Sequence, residues 1–194
     1  MRSYLQFLVC LALVFSSVFA APGQSDSAKE SALKVQAGTY YWSESTWTLM
    51  QQITMSGGGT KHAAKMFVPG LTPQIVWTFR DSAAPVQVED ARPQFCVKFM
   101  AALAGTPYAP SGRDIVLVRF DQKKDHRELQ TTNGGNMFTF KAGLSKDRMP
   151  DIDITAADAS TFFIAPRADL APGEYLLSAS SMGLSGYDFG FHPR

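Results

Sequence analysis

From Gly38 onward the chain is cut into short runs rich in Tyr, Trp, Phe, Val, Ile and Thr, each bounded by Gly, Pro, Asn or Asp. Runs of that length and composition suit strands rather than core helices, so the pattern points to an all-β fold. Strands are predicted at Thr39–Ser43, Thr46–Thr54, Ala64–Val68, Gln74–Arg80, Gln94–Met100, Asp114–Asp121, Arg127–Thr131, Met137–Lys141, Ile152–Thr155, Thr161–Ala165, Glu174–Ser180 and Tyr187–Phe191. No segment longer than a dozen residues combines helical periodicity with caps, and no repeat of fixed period is present.

Two strands carry opposite patterns. Phe95, Val97 and Phe99 alternate with Cys96 and Lys98, as on a strand buried on one side. Ile115 to Val118 are consecutively apolar, which predicts a central strand buried on both faces. Asn133-Gly134-Gly135-Asn136 predicts a tight hairpin turn, because these residues tolerate positive φ. The run Asp121 to Glu128 holds three basic and three acidic groups with His126 and reads as a solvated turn. Ser56-Gly57-Gly58-Gly59-Thr60-Lys61 has neither the order nor the following helix of a phosphate loop and reads as a flexible hairpin loop.

The N-terminus is of another kind. Arg2, an apolar stretch from Leu5 to Val14 and the small-residue close Val18-Phe19-Ala20 form a secretory signal-peptide pattern over residues 1–20. Its apolar core is too short to span a bilayer comfortably, and no later run approaches the required length. Cys10 lies inside that core rather than closing it, so a lipid anchor is not expected. Cleavage after Ala20 removes Arg2 and equalises basic and acidic groups at 17 each. Residues 21–37, without apolar periodicity, are expected to form a mobile leader to a domain at 38–194. An exported protein, periplasmic or extracellular, is the expectation, and neutrality argues against a nucleic-acid partner. The loss of Cys10 would leave Cys96 alone, a small apolar strand residue with no disulfide partner.

Leu170-Ala171-Pro172-Gly173-Glu174-Tyr175 places Pro and Gly as a type II turn wants them, ahead of a strand with Tyr175, Leu177 and Ala179 on one face. This stretch resembles the turn of immunoglobulin-like and fibronectin-type sandwiches, which implies a tyrosine corner built by Tyr175, Pro172 and Gly173. Together with Tyr187-Asp188-Phe189-Gly190-Phe191, the C-terminal part is also similar to uncharacterised exported bacterial β-sandwich proteins with a Pro-Gly-Glu-Tyr turn and a Tyr-Asp-Phe-Gly strand. The resemblance implies a single immunoglobulin-like antiparallel β-sandwich and carries no activity with it.

No catalytic residue stands out. His62, His126 and His192 are isolated, and Met182-Gly183-Leu184-Ser185-Gly186 lacks the spacing of a nucleophile elbow. Asp151, Asp153 and the nearby Asp158 read as the polar side of a half-buried strand, with a weak calcium site as the alternative. No cofactor is expected. The aromatic group Tyr40-Tyr41-Trp42 with Trp47 suggests a platform for a glycan or protein partner, with Tyr41, Trp42 and Trp47 as binding candidates. A non-catalytic binding domain is thus the leading expectation. An enzyme assembled from dispersed loop residues and a structural envelope component are the alternatives; a membrane barrel would need longer, more regular strands.

Overall fold

The computed structural model describes residues 31–32, 34–61, 74–100, 112–130, 144–179 and 184–193. Its strands are β1 (Gly38–Ser43), β2 (Thr46–Leu49), β3 (Gln52–Thr54), β4 (Gly57–Lys61), β5 (Gln74–Arg80), β6 (Gln87–Val88) and β7 (Phe95–Lys98). They continue as β8 (Val116–Arg119), β9 (Asp121–Gln122), β10 (His126–Gln130), β11 (Ile152–Ala156), β12 (Thr161–Pro166), β13 (Gly173–Ser178) and β14 (Ser185–Phe191). The fold is an all-β sandwich. Its first sheet has the order β11-β12-β7-β1-β2, its second β3-β14-β13-β8 and its third β4-β5-β10-β9. The short β6 adds a parallel pairing to β14; the other pairings among the described residues are antiparallel.

The second sheet is the middle layer. Along β13 and β14 the side chains alternate, so Tyr175, Leu177, Phe189 and Phe191 pack with Phe95, Val97 and Ile164 of the first sheet. The opposite face sends Leu176, Val116 and Val118 into a second core with Phe79 and Leu129 of the third sheet. Burial on both sides explains why Val116, Leu117 and Val118 are all apolar and all buried. In pairing order, however, β8 is an edge strand among the described residues: layering, not a central place in its sheet, buries it.

The first core is aromatic. Phe95 and Phe189 meet with ring centroids 4.8 Å apart across the two layers, and Tyr175 stacks on Phe189 at 5.4 Å and 15°. Contacts of this kind add to the roughly 1.5–3 kcal/mol that burial of a large apolar side chain contributes. The chain crosses from β12 in the first sheet to β13 in the second through the turn before Gly173. There the Tyr175 hydroxyl donates to the Ala171 carbonyl at 2.5 Å. Burial raises the Tyr175 pKa, which keeps the hydroxyl protonated as a donor. Gly173 has φ +154°, and a Cβ at that position would come within 2.8 Å of Arg119 Nε. The glycine therefore serves both the turn and the close approach of a guanidinium.

Two expectations change. Thr46–Thr54 is not one strand: after β2 the buried Met50 donates its N–H to the Thr39 carbonyl, and the chain then joins the second sheet as β3. After Met55 and Ser56 it joins the third sheet as β4, so Thr46–Lys61 visits all three layers. The glycine-rich run is correspondingly a strand rather than a flexible loop, paired with β5 from Gly57↔Thr78 to Lys61↔Gln74. Gly58 is needed there because Trp77 lies against it; a Cβ would meet the indole at 2.9 Å. The strands expected at Ala64–Val68 and Met137–Lys141 and the turn at Asn133–Asn136 lie outside the described residues.

Candidate functional site

The β1–β2 hairpin turns on Glu44 and Ser45, with φ of 49° and 63°. These are the positive values that a primed two-residue turn requires, here supplied without glycine. Beyond the turn, register pairs Trp42 with Trp47 and Tyr40 with Leu49. All four consequently share the outer face of the first sheet. The Trp42 and Trp47 rings are 5.0 Å apart and tilted by 59°, and Trp47 stacks on Phe163 at 6.0 Å. Tyr41 points to the other face and packs against the first core. Of the three residues singled out from sequence, the fold therefore unites Trp42 and Trp47 and sets Tyr41 apart.

The inner part of this face is covered by the chain itself. Ala32 is fully buried with Tyr40, Cys96 and Phe163, Val35 packs beside them, and the Tyr40 hydroxyl donates to the Gln36 carbonyl at 3.1 Å. Residues 31–37, the end of the segment read as a leader, thus include part of the packing. Burial pushes the Cys96 thiol up to about 11, so it stays protonated and unreactive near neutral pH. Toward the sheet edge the cover ends: Leu49 is 61% exposed, while Trp42 and Trp47 are half-buried.

A second constellation lies between the second and third sheets and was not anticipated. Arg127 on β10 and Asp188 on β14 are both buried, and Arg127 Nη1 donates to Asp188 Oδ2 at 2.6 Å. The same guanidinium donates to the carbonyls of Asp81 and Arg80, at 3.0 and 3.1 Å, and lies 4.9 Å over the Phe120 ring. Glu174, also fully buried, accepts the Ala84 N–H at 2.6 Å, lies 3.0 Å from His192 Nε2, and is 3.7 Å from Arg127 Nη1. Burial raises the Asp188 pKa above the ordinary value, with Arg127 opposing that rise. The group fastens the third sheet to the middle one. Asp188 and Glu174 hold the Arg127 side chain between the two sheets.

Arg127 and Glu128 correct the reading of Asp121–Glu128 as a wholly solvated turn, for both are buried. The signal was present in the alternation of β14, where Asp188 sits between Tyr187 and Phe189 in a strand with two covered faces. Further charged groups interact along the same hairpin. Asp125 first, and then Glu128, hold the His126 pKa above its ordinary value. Burial works against ionisation of Glu128, but Lys61, His126 and Lys123 outweigh it and lower its pKa.

The remaining candidates are occupied locally. Asp153 accepts from Arg167 Nε at 2.7 Å, and Asp158 accepts from Ser160 and Thr161. Among the described residues no three His, Cys, Asp or Glu side chains come together as a metal site. His62 lies outside them, and Ser185 and Gly186 belong to β14. No described helix is long and apolar enough to cross a membrane. No protein-family model, curated protein or solved structure matches this chain.

Proposed function

We propose that this chain is an exported, non-catalytic binding domain of the immunoglobulin-like sandwich class, and that the edge of its first sheet carries the contact surface. The observation that supports this reading is the convergence of Trp42, Trp47 and the exposed Leu49 on one face, beside a turn built from two positive-φ residues. Half-buried aromatic rings beside an exposed aliphatic side chain favour a partner that buries them further. Leu49 favours a protein over a glycan, since an aliphatic side chain extends an apolar contact and offers nothing to sugar hydroxyls. Export rests on the Leu5–Ala20 pattern, and the class assignment on the Tyr175 corner.

The test uses the purified chain and its Leu49→Asp variant, matched for thermal stability, as bait against envelope and medium fractions. A single partner retained by the parent, lost with Leu49→Asp and shielding the tryptophans from acrylamide is the expected result. A partner retained equally by both proteins would place the contact elsewhere. Capture of polysaccharide would move the reading to the glycan class.

A further inference from the structure

Away from the tryptophan face, two clefts share Arg119 and Arg148 on their walls. The first, of about 270 Å³, gathers Arg119, Lys123, Arg148 and His192 with only Asp121 and Glu174 as acids. The second, of about 330 Å³, adds the apolar surface of Met149, Pro150 and Leu170. We propose that these adjoining clefts form a binding site for a small organic anion. Its carboxylate or phosphate group lies in the first lobe against Arg119 and Arg148, and its apolar body crosses into the second.

The charge distribution carries the inference. In the first lobe both acids are already engaged: Asp121 accepts from Arg148 Nη2 at 2.7 Å and from Gln130 Nε2, and Glu174 is taken up by Ala84, His192 and Arg127. Three of the cations have acidic partners, Arg148 at Asp121, His192 at Glu174 and Lys123 at Glu128, the last at 3.6 Å, whereas Arg119 does not. Among the described residues Arg119 has no carboxylate within 4.0 Å; its Nη2 donates to the Pro172 carbonyl at 2.6 Å. That bond and the glycine beneath it hold the guanidinium in place and leave further N–H donors for a ligand. Two guanidinium groups on one small cleft suit a planar or tetrahedral oxyanion, which each can meet through paired N–H groups. The second lobe sets Asp147, Asp151 and Asp169 beside Arg167 and the shared Arg119 and Arg148, so the excess of positive charge lies in the first lobe and fixes the direction of the ligand. The combined dimensions are those of ordinary small-molecule sites.

The experiment is calorimetric titration of the purified chain with phenyl phosphate, phenylacetate, inorganic phosphate and the uncharged benzyl alcohol. The expected result is saturable binding of at least one aromatic anion, at about 1 mM or tighter. It should exceed binding of inorganic phosphate, weaken with added salt, and be absent for benzyl alcohol. Phenyl phosphate against phenylacetate distinguishes the two head groups. Arg148→Gln and Lys123→Gln, which leave the Arg119 contact with the turn intact, are each expected to weaken binding, Arg148→Gln by about tenfold. Met149→Ser is expected to weaken the aromatic anion while leaving inorganic phosphate unchanged. No saturable binding of any anion, or unaltered affinity in folded Arg148→Gln and Lys123→Gln proteins, would overturn the site. Equal affinity for inorganic phosphate and the aromatic anions would overturn the apolar half of it.

Discussion

The middle sheet has two buried faces, and they are built on different physics. Toward the first sheet it presents Tyr175, Leu177, Phe189 and Phe191, a surface closed by ring contacts and shape. Toward the third sheet it presents Leu176 and Val118 together with Glu174 and Asp188, and the partner layer answers with Arg127. The apolar face gains from every methylene it buries. The charged face gains little net energy from its ions, because desolvation offsets their attraction, but it penalises any arrangement that leaves one ion alone. Both faces bury apolar side chains; the ions on the second select how the third sheet is seated.

That contrast can be broken most severely from either side by a single substitution. Phe189→Ala is expected to cost about 3–5 kcal/mol through lost burial and a cavity at the Phe95 and Tyr175 contacts, measured by chemical denaturation. Arg127→Met is expected to cost a similar amount, about 3–5 kcal/mol, for a different reason: it strands the buried Asp188 carboxylate. The faces separate in how they can be repaired. Arg127→Met combined with Asp188→Leu should recover much of the loss, whereas no second apolar truncation rescues Phe189→Ala. Asp188→Asn should cost less than Arg127→Met, because it retains an acceptor and removes a charge that burial disfavours. Tyr175→Phe, which deletes the corner hydrogen bond and keeps the ring stack, is expected to cost about 1–2 kcal/mol.

The smallest expected effect lies on the solvent side of the third sheet. Asp125 and Glu128 raise the folded-state His126 pKa, so the stability from this cluster is fully present below the unfolded histidine value. It is lost as pH rises through the raised folded value. A melting-temperature profile from acid to mildly alkaline pH should therefore show a shallow decline over that window, removed by His126→Gln. An identical profile in the variant would assign the decline to other groups.

How much of this was legible in the sequence follows the same division. The Tyr175 hydroxyl bond to Ala171 lies within reach of a sequence reading because it spans four residues, and the aromatic face of β14 because alternation displays it. Arg127 escaped notice because its partner Asp188 is 61 residues away. A run of mixed charge has the same composition whether all of it is solvated or two of its members are buried. The division of Thr46–Lys61 among three sheets was hidden for a related reason, since strand propensity is local and sheet membership is not. At the candidate binding face, β alternation separated Tyr41 from Trp42. Leu49 gained its importance only through cross-strand register and exposure.

The direct measurement is a double-mutant cycle on Arg127→Met and Asp188→Leu by urea denaturation, with circular dichroism and tryptophan fluorescence followed together. The expected result is strong non-additivity: the double variant is more stable than Arg127→Met alone, with an interaction energy of about 2 kcal/mol or more. Losses that add to within about 0.5 kcal/mol would contradict a charged lock between the second and third sheets.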